Sequence, residues 1–213
     1  MRVNIGCGMT PTQGWVNFDN SFSLKLSRWP WVPSLLFKLK LINPSQMDYI
    51  IFCQKNSIGA ADATRNIPLS NGSVEVIYSS HMLEHLDRAE AILFLKEANR
   101  ILKRGGMIRL ALPDISIAID EYNKNKDADE FIKKTHMGLM RPRTLAERLR
   151  MLLVGTRHHH WMYDGKSLST ILLKNGFADA VVLAAGETTI ANPGSLNLRE
   201  YEGWSVYVEA KKP

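Results

Sequence analysis

Gly6 and Gly8 flank Cys7 directly after the apolar run Val3–Ile5, and Asp19 closes the next strand-like run, Trp15–Phe18. A glycine turn leaving a strand lets backbone N–H groups approach a ligand closely, and a carboxylate at the tip of the neighbouring strand can hold a ribose diol. Two histidine groups add a different chemistry. His81, Glu84 and His85 follow the β-branched run Val74–Ser79, and His158, His159 and His160 precede Trp161 and Tyr163. A neutral imidazole is the side chain best suited to accept a proton near neutral pH. The H-x-x-E-H spacing is that of a zinc-protease helix, but here a strand precedes it immediately, which is the wrong context for a protease. The triple histidine can pick up metal, although tetrahedral sites normally draw ligands from several elements. Cys7 adjoins no cationic residue and reads as a packed side chain, not a nucleophile.

These residues need a frame. Strands are expected at Val3–Ile5, Trp15–Phe18, Ile58–Ala61, Val74–Ser79, Met107–Leu112, Ala180–Ala184 and Ser205–Ala210. Most are β-branched or wholly apolar, as in sheets covered on both faces. Asp87 with Glu90 predicts a capped helix bearing Ile92, Leu95 and Leu102 and ending at Gly105-Gly106. Asp164 predicts another with Leu168, Ile171 and Leu172 inside, Asn175-Gly176 as its stop, and Phe177 folded back. The alternation implies an α/β, doubly wound, Rossmann-like sheet of about seven mostly parallel strands with an antiparallel last strand, plus a helical insertion after the second strand.

The expected organisation is one domain over residues 1–213 with lid-like insertions at 22–56 and 137–157. The first carries Trp29, Trp31, Leu35, Leu36, Phe37 and Leu39 with Lys25, Arg28, Lys38 and Lys40 between them. The second places Leu145, Leu149, Leu152 and Leu153 at helical spacing among arginines. Helices completing the core edge are the alternative for both.

With 45% hydrophobic and 23% charged residues, the composition is that of an ordinary globular protein. The two cysteines make no disulfide framework, and no charged leader or spanning segment is evident, so a cytoplasmic protein is expected, with a peripheral membrane contact open. The formal charge of +6 favours an anionic partner over general solubility by no clear margin.

The motifs resemble those of class I S-adenosylmethionine (SAM)-dependent methyltransferases, in a bacterial branch of predicted methyltransferases (methyltransferase type 11-like). Asn4-Ile-Gly-Cys-Gly8 is similar to the first-strand motif. Ala61-Asp-Ala63 with Ile67–Ser73 is similar to the third, Ile77–Leu86 to the fourth, and Leu102–Gly106 leading into Arg109–Asp114 to the fifth. The closing His160–Asp164, the helix to Phe177 and the strand Ser205–Ala210 fit as well. The resemblance covers most of the chain and misses mainly the two lid-like segments. Asn4 stands where an acidic residue is usual, and Thr10 where a third glycine is. The connection after Gly8 is too short for the usual helix, so a loop is expected to hold the cofactor.

The resemblance implies SAM as cofactor, held by Asn4, Gly6, Cys7, Gly8, Asp19, Asp62, Ala63 and Ser80. Asp19 would take the ribose and Asp62 the adenine amino group, with a helix-cap role competing for Asp62. It implies methyl transfer to a hydroxyl of a sugar, nucleotide-sugar or other small, anionic acceptor, in surface polysaccharide modification by association. His81, His85 and His159 are the candidate catalytic bases. Asp114, His160, Trp161 and Tyr163 are the candidate acceptor residues. No metal ligand is assigned, and a divalent ion stays open as an assistant. Nucleic acid is the less favoured acceptor, because the basic residues are spread over two segments with no RNA module. An RNA methyltransferase or a non-catalytic cofactor-binding partner subunit are the alternatives.

Overall fold

The computed structural model of the chain describes residues 1–138, 141–144, 147–148, 151 and 158–213. Seven strands form one sheet: β1 (Arg2–Ile5), β2 (Val16–Asp19), β3 (Ile58–Ala60), β4 (Val74–Ser80), β5 (Leu102–Pro113), β6 (Ala178–Leu183) and β7 (Ser205–Lys211). Their order is β3-β2-β1-β4-β5-β7-β6, with β7 antiparallel to both neighbours and the pairs among β1 to β5 parallel. The chain runs outward from β1 to β3, then returns to the middle at β4. That reversal puts a crevice at the carboxyl ends of β1 and β4, where open α/β sheets take ligands.

Helices α1 (Phe22–Ser27), α2 (Val32–Lys38) and α3 (Pro44–Lys55) fill the connection from β2 to β3. They have small cores of their own: Leu24, Tyr49 and Cys53 in one, Leu26, Ile42 and Ile50 in the other. This is the helical insertion expected after the second strand. Of the second expected lid, 137–157, the residues Leu145, Leu149, Arg150, Leu152, Leu153 and Arg157 lie outside the described residues.

Helix α4 (Arg88–Ile101) begins at the Asp87–Glu90 capping box, the Asp87 side chain accepting from the Glu90 N–H at 2.8 Å. Ala91, Phe94, Leu95, Ala98 and Ile101 are its buried stripe, and Ile92 is only partly buried. The expected end at Gly105-Gly106 is corrected. The helix stops at Ile101 because Leu102 turns extended to bury its side chain, and it already belongs to β5. Gly105, at φ +75°, shapes the irregular entry in which Val74 pairs with Leu102 but Val76 with Met107. Helix α5 (Ile115–Asn125) is followed by α6 (Ala128–Lys134) and α7 (Gly165–Lys174). Asp164 and Ser167 cap α7, Leu168, Ile171 and Leu172 point inward, and Phe177 is buried with its N–H on the Leu172 carbonyl at 3.3 Å.

One face of the sheet packs on α4 and α7 in the main core. Over the middle of the other face, Ile190 and Leu196 of the β6–β7 connection cover Val76, Tyr78, Ala111 and Tyr207. Polar groups buried under this irregular segment pair with one another, Arg109 Nε excepted among the described residues. Arg109 Nη1 donates to Glu209 at 2.6 Å and to the Glu187 carbonyl at 2.9 Å, and Tyr78 donates to Glu200 at 2.6 Å. Burial raises the Glu209 carboxyl, but hydrogen bonds from Thr188, Thr189 and Arg109 outweigh it and hold the group below its usual range.

Candidate functional site

The turn after β1 is tied to β2 through its backbone. The N–H groups of Gly6 and Cys7 both donate to the Phe18 carbonyl, at 2.8 and 3.0 Å. Gly6 has φ +72°, and a Cβ there would stand 2.6 Å from Cγ of Met82, just beyond β4. Glycine is therefore required for both conformation and space, and the contact brings the first-strand turn against the exit of β4. Gly8, at φ +49°, opens on free space, with nothing within 4 Å of an added Cβ.

Asp19 ends β2 in the same place. Its Oδ2 accepts from the Gly8 N–H at 3.2 Å and its Oδ1 from the Ser21 N–H at 2.6 Å. Each oxygen keeps a second lone pair, enough to receive two ribose hydroxyls. The glycine turn, the open space beside Gly8 and this doubly anchored carboxylate fit a nucleoside cofactor.

As expected, no helix joins β1 to β2. Two buried amides hold the loop instead. Asn4 Nδ2 donates to the Thr10 carbonyl and to Thr12 Oγ1, both at 3.1 Å, and Asn17 Oδ1 accepts from the Thr12 N–H at 2.8 Å. An acidic side chain at position 4 has no N–H to give these acceptors, which explains the amide. Cys7 is buried and its thiol is pushed up to about 12, first by burial and then by Asp19 and Cys53. A thiol in that state becomes thiolate only in strong alkali. Alkylation of the native protein at pH 8 is accordingly expected to leave Cys7 unmodified, with labelling appearing on unfolding; mass spectrometry checks this, and rapid native labelling contradicts it.

Asp62 follows β3, and the Ala61 N–H on the Asp19 carbonyl at 3.1 Å joins the two strand ends. Its Oδ1 accepts from Thr64 N–H and Oγ at 3.0 and 2.7 Å, so the carboxylate closes the 62–66 turn; no helix follows there, and the helix-cap alternative is corrected to a turn. The Ala63 side chain is buried in the main core.

Ser80 is buried at the end of β4, and His81 follows at φ +47°, a left-handed conformation that costs a non-glycine residue on the order of 1–2 kcal/mol. His81 Nε2 lies 2.9 Å from Ser205 Oγ, and its ring centre is 4.2 Å from that of Tyr201, the two planes tilted at 47°. Burial, then His85, holds the His81 imidazole down at about 4, so it is neutral at physiological pH.

The two histidine groups meet. His85 Nδ1 lies 3.0 Å from the His158 carbonyl, and the N–H groups of His160 and Trp161 both donate to the Glu84 carbonyl, at 2.7 and 3.2 Å. The His85 and His159 rings are 5.0 Å apart, and His136 stands 5.2 Å beyond His159. His160 and Trp161 are exposed, with the Arg88 guanidinium 4.9 Å over the Trp161 ring. Tyr163 is fully buried in the main core, so in this structure it presents no surface to an acceptor. Asp114 caps α5 through the Ser116 N–H at 2.8 Å, and its own N–H bonds the Trp204 carbonyl at 2.9 Å. The carboxyl edge of β4 and β5 is thus bracketed by 158–163 on one side and Tyr201–Ser205 on the other. Ser205, Tyr201 and His136 have no motif in the sequence. Glu84 had one, in the H-x-x-E-H spacing, but not a role.

A family model described as a methyltransferase domain matches residues 44–110, from α3 into β5. Several solved structures share the fold. A SAM-dependent methyltransferase of Thermotoga maritima, described as a possible histamine N-methyltransferase, superposes with a TM-score of 0.54 at 17% identity, over 100% of this chain and 82% of that one. One from Methanosarcina mazei gives 0.53 at 15% identity, over 99% and 91%, and one from Archaeoglobus fulgidus 0.50 at 16%, over 99% and 85%. No curated protein matches the chain in sequence.

Proposed function

We propose that this class I SAM-dependent methyltransferase, as its domain match and fold support, methylates a hydroxyl oxygen of a sugar, nucleotide-sugar or other small anionic acceptor. Bound SAM supplies an electrophilic methyl group on a sulfonium. Asp19 holds the ribose, Gly6 and Gly8 let the backbone lie along the nucleoside, and Asp62 lies toward the adenine end. The acceptor enters between 158–163 and Tyr201–Ser205, with Asp114, His160 and Trp161 nearest the entrance.

The observation that carries this reading is His81, held in a left-handed conformation directly beyond β4 with Nε2 2.9 Å from Ser205 Oγ, next in the chain to the Met82 that packs on Gly6. With SAM bound, an acceptor hydroxyl in the place of Ser205 Oγ would give its proton to His81 Nε2, while the cofactor would supply the methyl group and leave as the thioether S-adenosylhomocysteine. His85 and His159 stand behind it. In a transfer assay with labelled SAM and a panel of sugars and nucleotide sugars, His81→Ala is expected to lose about 10²–10⁴-fold in turnover. Affinity for S-adenosylhomocysteine should stay unchanged. Full turnover in that variant removes His81 from the reaction, and binding without turnover on any acceptor favours the partner-subunit alternative.

A membrane contact is favoured by one further observation. Trp29 and Trp31 are 60% and 66% exposed, Leu35, Phe37 and Leu39 are exposed beside them, and no acidic residue occurs from Asn20 to Met47, where Lys25, Arg28, Lys38 and Lys40 lie. Aromatic and basic residues together suit an anionic bilayer surface. The chain is expected to co-sediment with phosphatidylserine-containing vesicles, and Trp29→Ala with Trp31→Ala to lose most of that binding. Equal recovery with neutral vesicles contradicts the charge argument.

A further inference from the structure

We propose that Glu84, His85 and His159 form a binding site for one divalent transition-metal ion of the zinc type. One potential ligand atom from each lies within 4.8 Å of the other two. The ligands come from a 3-10 turn (Leu83–His85) after β4 and from the segment before α7, a separation of 73 positions between His85 and His158.

Glu84 is 1% exposed, and neither carboxylate oxygen has a hydrogen-bond partner among the described residues. His81 Nδ1 lies 3.5 Å from its Oε1. A buried carboxylate left this way is costly unless it is protonated or meets a cation. His159 Nδ1 is likewise buried without a hydrogen-bond partner. His85 Nδ1 faces the His158 carbonyl, which can only accept, so Nδ1 carries the proton and Nε2 the lone pair. A metal-binding imidazole is usually held in this way, its other nitrogen donating to a backbone carbonyl.

Two imidazoles and a carboxylate suit zinc and its first-row neighbours, and leave a coordination position open. The ion would pin 158–163 against the end of β4. That its open position also acidifies an acceptor hydroxyl rests on the hydroxyl-transfer reading; the binding itself does not.

The test is titration of chelator-treated full-length protein with Co²⁺, followed by visible absorption and displaced by Zn²⁺, with circular dichroism as the folding control. One ion per chain is expected. Glu84→Gln and His159→Ala should each weaken binding by at least about 100-fold, since losing even an outer-shell partner typically costs about 10–100-fold. His158→Ala and His160→Ala should leave affinity within about twofold, for their side chains are not ligands. No stoichiometric binding by the folded wild type overturns the proposal. So does binding that survives Glu84→Gln but is lost in His158→Ala and His160→Ala, which marks an ion held by the histidine tract alone.

Discussion

Asp19→Ala is expected to weaken S-adenosylhomocysteine binding by about 100-fold or more, measured by calorimetry. A hydrogen bond to a charged group is worth about 1.5–3 kcal/mol, and about 1.4 kcal/mol is tenfold in affinity, so two ribose contacts account for that loss. The same substitution frees the Gly8 and Ser21 N–H groups, which loosens the turn that the nucleoside rests on. Asp19→Asn keeps one acceptor oxygen and should fall between wild type and alanine. An alanine variant that binds as tightly as wild type removes Asp19 from the cofactor site.

The largest effect on stability is expected at Arg109. It is fully buried, ion-paired to Glu209 at 2.6 Å with both side chains inaccessible, and bonded to two carbonyls of the β6–β7 connection. Arg109→Met leaves Glu209 with its threonine partners but no cation, and leaves the carbonyls of Glu187 and Leu198 without their donor. Breaking a buried pair on one side costs about 3–5 kcal/mol. For a chain of this size that is a fall in melting temperature of roughly 6–20 °C, read by calorimetry. Replacing both partners with apolar residues should cost less than the sum of the two single changes, because no lone charge is left. A single substitution costing under about 1 kcal/mol contradicts the assignment.

The parts of the molecule set by local pattern were legible in the sequence. All seven strands were: β4 and β7 as apolar runs buried nearly throughout, and the half-covered outer strands β3 and β6 by their short apolar runs between turns and capped helices. The Asp87–Glu90 box and the Asp164 cap start helices where they were read. Gly6, Gly8 and Asp19 come together because the register of β1 and β2 leaves them no other place. What escaped depends on distant contacts. Leu102 ends α4 early because the core has room for its side chain in the extended form, which helix propensity does not report. The cover over Val76 and Tyr78 comes from an irregular segment whose apolar residues, Ile190 and Leu196, have no period. The pairing of His81 with Ser205, and the docking of 158–163 on Glu84, join residues far apart in the chain. For those, spacing carries no signal.

The most direct test is a crystal structure of the chain with S-adenosylhomocysteine. The ribose hydroxyls should lie on the Asp19 carboxylate, with the nucleoside passing over Gly6 and Gly8 and the sulfur facing the turn that begins at His81. A nucleoside bound away from the carboxyl ends of β1 and β4, or a folded protein that takes up none at saturating concentration, contradicts the account.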